Sequence, residues 1–265
     1  MPADIDIKIE YHSHEDAEDM TQNLLVVDFD FFFPELSHDP KLWMYYDWGH
    51  AENNSLFYGA LWVVRAADFD RNNIPRPKVN DDWMHFWERF DIDESAVLYY
   101  ADSNRFALHE EVRRSAADTT GQVWLYDAHH DSGYQGTVEG LTDDEGTSHF
   151  SCEDWMVGYH MLDAELHVRY PTWKTWAFEA EPEMLIDVNR CFDNGLPNDV
   201  HFDTVFVCRS GAWTPPWCDH DFEDFITDAP VNELYELEEC QPREWDEGAV
   251  KALILAYEQA RRLND

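Results

Sequence analysis

Three potential metal ligands stand at alternate positions in the stretch Trp124-Leu125-Tyr126-Asp127-Ala128-His129-His130-Asp131-Ser132-Gly133: they are Asp127, His129 and Asp131. Alternate side chains of an extended chain point the same way. At the end of a strand, two carboxylates and one imidazole can therefore converge on one point. A second apolar run, Val26-Val27-Asp28-Phe29-Asp30-Phe31-Phe32-Phe33-Pro34, carries Asp28 and Asp30 at the same spacing. The two strand ends together offer four carboxylates and one imidazole, a donor set for one or two divalent ions of Mn, Zn or Fe. An all-oxygen site would favour Mg²⁺ or Ca²⁺, and His129 moves the preference toward the transition metals. An ion with open positions activates water and polarises a carbonyl or guanidinium carbon, so the natural chemistry is hydrolysis of a C–N bond. Each pair alone also fits a strand running into an acidic turn. It is the matching placement of both pairs that favours the metal.

Other chemistries lack their residues. The chain has no GxxxxGK[ST] loop, no GxGxxG turn and no GxSxG elbow, so neither a nucleotide cofactor nor a serine nucleophile is indicated. Cys208 lies in an apolar run and reads as a core residue. Five cysteines without a CxxC pair point to reduced thiols and a cytoplasmic compartment. The polar, acidic start Met1-Pro2-Ala3-Asp4 does not resemble a secretory leader, and no apolar run approaches the length of a membrane span.

The chain has 265 residues, 44% of them hydrophobic and 15% aromatic, enough to bury a large core. Against 18 Lys and Arg stand 56 Asp and Glu, a formal net charge of -38. Such a surface repels nucleic-acid phosphate and anionic membrane. It suits a salt-rich setting, a cation-binding surface or a decoy for a basic protein partner. The acids are spread along the whole chain, which makes the first of these the simplest.

The elements that must position the ligands follow from apolar patterning. Residues 1–22 read as an edge strand and an acidic surface segment. Leu24 to Phe33 is a buried strand. Residues 35–55 form an aromatic-rich loop, and Leu56 to Arg65 is a strand or a buried helix. A loop covers 68–81. Asn80 then caps a helix through Phe90, with Trp83, Phe86, Trp87 and Phe90 at helical spacing. Further strands are expected at Ala96–Ala101, Gln122–Asp127, Glu165–Tyr170, Trp176–Ala180 and Thr204–Arg209. Helices are expected at 104–116, 152–162 and 246–263, with a short helix or turn at 182–192 and a surface loop at 132–148. Alternating strands and helices predict a three-layer α/β sandwich around a mostly parallel sheet, in one domain over 1–265. Asp28 and Asp30, Asp102, the Asp127 motif and Arg209 all fall at the C-terminal ends of strands, the edge where parallel sheets build sites.

Asp127-Ala128-His129-His130-Asp131 resembles the DxHxD metal motif of the arginase/histone-deacetylase (ureohydrolase) superfamily. Asp28-Phe29-Asp30 looks like its DxD signature. The resemblance is closest to a poorly characterised arginase-like family with FDSHPD-, NW-, PTW-, DxDFF- and ARS-type elements. These are matched here by Tyr126–Asp131, Asp154-Trp155, Pro171-Thr172-Trp173, Asp28–Phe32 and Cys208-Arg209-Ser210.

The resemblance implies an arginase/deacetylase-like fold and a metal-dependent hydrolase acting on a small guanidino, amidine or acyl-amine substrate. Asp127, His129, Asp28 and Asp30 would be ligands, and Asp131 would hold a second metal or brace the first. Asp102, Asp154, Trp155 and Arg209 would touch substrate or support the ligands. Aromatic loops at 43–48 and 213–217 would wall a pocket for a cationic substrate. Two features depart from the family pattern. The DxD element precedes DxHxD here, and Asp102-Ser103 stand where binuclear members carry a further histidine. A single ion on Asp127, His129 and one of Asp28 and Asp30 is the arrangement these departures favour. A binding or decoy protein that keeps the fold without the reaction is the alternative.

Overall fold

Gln22–Asp28 (β2) shows why the sheet forms. Leu24, Leu25, Val26 and Val27 are all fully buried, so both faces of this strand are covered. A run of that kind belongs in the middle of a parallel sheet. In the computed structural model, β2 has β4 (Thr120–Tyr126) on one side and β8 (His201–Cys208) on the other. The structure describes residues 5–7, 22–33, 58–115, 120–134, 136–143, 146–174, 184–193, 200–238, 240 and 242–264.

The remaining strands are β1 (Ile5–Ile7), β3 (Asp91–Ala101), β5 (Ser148–Phe150), β6 (Glu165–Tyr170), β7 (Asn189–Phe192) and β9 (Glu233–Glu236). Seven strands form one sheet in the order β7-β6-β4-β2-β8-β3-β9, and every neighbouring pair is parallel. β1 and β5 pair separately as an antiparallel ribbon. Parallel neighbours need crossovers, and the helices supply them on both faces.

On one face, Leu25, Val27, Tyr126, Val205 and Val207 pack against Trp62 and Phe69 of α1 (Tyr58–Arg71). Phe222 and Phe225 of α4 (Asp219–Thr227) complete that layer. Much of its cohesion is aromatic: the Phe29 ring meets Phe222 at 5.4 Å, and Phe32 meets Phe225 at 5.1 Å, edge to face. On the other face, Leu24, Val26, Val123 and Leu125 pack against Val112 of α2 (Glu110–Ser115) and Trp155, Met156 and Tyr159 of α3 (Trp155–His160). This is a three-layer α/β arrangement. α5 (Glu247–Asn264) lies outside α1, joined through Ala66, Ala67 and Val250. Among the described residues, no helix is long and apolar enough to cross a membrane. None of the five cysteines, all among the described residues, is in a disulfide.

Several local expectations change. The strand expected to reach Phe33 stops at Asp28, and a 3-10 turn follows over Phe29–Phe32. The Asp28 side chain causes the break, because its Oδ1 accepts the Asp30 N–H at 3.0 Å and caps the turn. Asp28 and Asp30 therefore do not share one side of a strand. Of the span expected as a strand or buried helix, residues 58–65 belong to α1, which runs on to Arg71 and takes the first part of the expected 68–81 loop; residues 56 and 57 lie outside the described residues. Asn80 does cap the next element, but two 3-10 turns stand in place of the helix, over Asp81–His85 and Trp87–Arg89. Trp83 and Phe86, three apart, are both buried, as a period of three residues per turn allows. The helix expected from Asn104 opens as another 3-10 turn, Asn104–Leu108, before α2. Asn189–Phe192 is a strand rather than a helix or turn, and β9 had no counterpart in the apolar pattern. The strand expected at 176–180 and the aromatic loop at 43–48 lie outside the described residues.

Candidate metal centre

The strands that carry the polar C-terminal ends, β4, β2, β8 and β3, are consecutive in the sheet. Their ends meet at one edge, in a region the chain reaches from both directions, where α/β sheets open a crevice.

β2 delivers Asp28 as its last residue and Asp30 in the turn beyond, both nearly inaccessible. Asp30 Oδ1 accepts the Ala128 N–H at 3.3 Å, which ties the end of β2 to the end of β4. Its Oδ2 is buried without a hydrogen bond among the described residues. β4 ends at Tyr126, and the chain then bends. Asp127 is fully buried, and its Oδ1 accepts the His129 N–H at 2.7 Å. This local turn brings the His129 ring back over its own carboxylate. His129 Nδ1 lies 3.3 Å from Asp127 Oδ1 and 3.2 Å from Asp30 Oδ2. Asp30, Asp127 and His129 thus present one donor atom each, all within 4.8 Å of one another.

A second group adjoins the first. Asn104, just past the end of β3, donates from Nδ2 to Asp28 Oδ2 at 2.8 Å, Asp127 Oδ2 at 3.1 Å and Asp131 Oδ2 at 2.8 Å. Asp28 and Asp127 are therefore within reach of one central atom. Asp131 also accepts Trp155 Nε1–H at 2.7 Å. The cluster has two halves that share Asp127: Asp30, Asp127 and His129 around open donor atoms, and Asp28, Asp127 and Asp131 around an amide.

Burial, with Asp30 close by, pushes the Asp127 carboxyl up to about 7, and His129 only partly opposes this. Burial works against a charged His129 ring, but Asp30 and Asp127 outweigh it and hold the imidazole well above its ordinary value. The cluster alone thus retains protons where a cation would displace them. The donor set fits a divalent transition ion: mixed oxygen and nitrogen donors, partly exposed on the His129 side, with a buried Asp30 oxygen that faces His129 Nδ1 at 3.2 Å.

Positive φ occurs at the same place. Asp131 (φ 47) and Ser210 (φ 56) are two of four non-glycine residues with positive φ among those described. The other two, Asn73 and Asp163, follow the ends of α1 and α3, and Asp takes this conformation more readily than most residues.

The other expected site residues fall around the centre rather than in it. Trp155 opens α3 fully buried and braces Asp131. Asp154 sits at the start of the same helix, where its Oδ1 accepts the Ser151 N–H at 2.6 Å. Asp102 and Arg209 form a buried ion pair at 2.8 Å. Asp102 Oδ1 also accepts the Gly211 N–H at 3.1 Å, and Arg209 donates to the Cys240 carbonyl at 3.0 Å. That lattice fixes the turn after β8. The turn places Trp213, whose ring lies 5.0 Å from the His129 ring, whereas Trp217 of the same expected loop packs against Trp62 and Trp245. His130 is fully buried, with Nδ1 2.8 Å from Ser132 Oγ and its ring stacked on Tyr134 at 4.1 Å.

Sequence reasoning missed Asn104. Its one signal is position, immediately after Asp102-Ser103 at the strand end where a further ligand was sought. No family model matches the chain, and no curated protein or solved structure matches it.

Proposed function

We infer that the chain is a metal-dependent hydrolase of a C–N bond, with its divalent ion held by Asp30, Asp127 and His129. The observation that carries this reading is the convergence of those three donors at the C-terminal edge of four adjacent parallel strands. The C–N class comes from the resemblance of the two motifs to the arginase/deacetylase superfamily, and an arginase-like fold is part of the same proposal. A divalent ion of Mn, Zn or Fe supplies Lewis-acid polarisation and lowers the pKa of water.

The chain's own residues do the rest. Asp30 ties the two ligand-bearing ends together, Trp155 fixes Asp131, and the Asp102–Arg209 pair holds the turn that carries Trp213. The acids of the centre are buried, and the Trp213 ring beside the part-exposed His129 offers an indole face that suits a small cationic substrate such as a guanidine, an amidine or an acylated amine.

The test is hydrolysis of a panel of such compounds by chelator-stripped protein with and without added Mn²⁺, Zn²⁺ or Fe²⁺. Turnover that needs the metal and vanishes in Asp127→Ala and His129→Ala is expected. Absence of turnover with every metal and compound class would count against the hydrolase.

A second reading has its own observation. Asn104 fills half of the acidic cluster with a neutral amide, as a protein that kept the fold without the reaction could do. Metal uptake with no hydrolysis, together with capture of a basic protein partner that salt releases, would favour that acidic binding protein.

A further inference from the structure

We propose that Asn104 limits this centre to one ion, because its amide nitrogen occupies the place a second divalent cation would take among Asp28, Asp127 and Asp131. The inference rests on the reading that Asp30, Asp127 and His129 hold the first ion.

The geometry around the nitrogen is that of a small central charge. Three carboxylate oxygens from three different side chains lie 2.8, 2.8 and 3.1 Å from it. A primary amide has two hydrogens, so it cannot give each of three acceptors a full bond. The longest contact, to Asp127, is the one that must be shared.

The amide's orientation follows from charge. Turning it over would set Oδ1 against three carboxylate oxygens, which repel it. In the observed orientation Oδ1 has no hydrogen-bond partner among the described residues, although Asn104 is only 3% exposed. A buried carbonyl oxygen left unsatisfied is destabilising. That cost is tolerated because the nitrogen is needed inside. The three carboxylates are themselves 2%, 0% and 6% exposed, so bulk solvent does not reach them beside the amide. The chain thus supplies a fixed neutral donor where the carboxylates alone would draw in a cation.

The residue acts on metal count and not on the open half. Asn104 has no hydrogen bond to Asp30 or His129, and it meets Asp127 through Oδ2, whereas His129 lies beside Oδ1. Removing the amide should empty the centre of the three-carboxylate half and leave the other donors in place.

Equilibrium dialysis of the full chain against Mn²⁺, with the bound metal measured per chain, tests this on wild type, Asn104→Ala and Asn104→Ser. The wild type should hold about one equivalent and both variants about two. In chelator the variants should melt below wild type, since three buried carboxylates lose the donor they share. Saturating Mn²⁺ should raise their melting temperature by more than it raises that of wild type. Equal metal counts in variants and wild type would overturn the inference, whether both hold one ion or both hold two. Failure of both variants to fold in saturating Mn²⁺ would also overturn it, because the cation should replace the amide. A wild type that binds no ion would instead overturn the reading of the open half. In that case a gain of one ion in the variants would still sustain the role of Asn104.

Discussion

Asp28 and Asp30 have the same side chain two positions apart, and the turn between them gives them different work. Asp28 Oδ1 caps the turn and its Oδ2 faces Asn104, whereas Asp30 faces His129. Residue type and spacing made both visible as ligands in the sequence. They could not separate them, because period-2 alternation assumes a strand that continues, and the Asp28 side chain ends it. Asn104 was illegible for a related reason. An asparagine after a strand reads as a turn or cap residue, and only the meeting of β3 with β2 and β4 at one edge gives it three carboxylate partners. The split predicts unequal effects. Asp30→Asn should lower Mn²⁺ affinity by about a hundredfold or more, since it removes a direct donor. Asp28→Asn keeps the capping oxygen and should lower it by less than about tenfold. Calorimetric titration with Mn²⁺ reads both, and equal losses would mean that Asp28 is as much a ligand as Asp30.

At the scale of elements, the central strands were legible and their surroundings were less so. β2, β4 and β8 are continuous apolar runs, and burial on both faces leaves that pattern little choice. β9 is fully exposed and half acidic, so it carried no apolar signal. The turns at Asp81–Arg89 and Asn104–Leu108 read as α-helix because one turn of sequence does not separate a period of 3 from 3.6. Strand order lay beyond the pattern, since β8 enters between β2 and β3 from far along the chain. Beyond the backbone ladder that runs to Ala101 and Cys208, the Asp102–Arg209 pair joins the ends of β3 and β8 at the site edge, with both side chains 3% exposed. Arg209→Met should cost about 3–5 kcal/mol in urea unfolding, because it leaves Asp102 buried without its cation. The double change Asp102→Asn with Arg209→Met should recover much of that loss. A single variant as stable as wild type would show that the pair does not hold this edge.

The whole molecule combines a strongly aromatic core with a formal charge of -38. The charge is a property of the surface and was readable from composition. It says little about the centre, where the acids are buried and act through position. The layered α/β architecture was legible because strand and helix patterns alternate along the chain. The central claim is that Asp30, Asp127 and His129 hold one ion at the edge shared by β4, β2, β8 and β3. The most direct measurement is an anomalous difference map from crystals of the full chain soaked in Mn²⁺. The account predicts one strong peak between Asp30, Asp127 and His129, with the Asn104 amide still among Asp28, Asp127 and Asp131. No peak at those three side chains, in crystals where the donors are ordered and the soak reaches other surface sites, would contradict it.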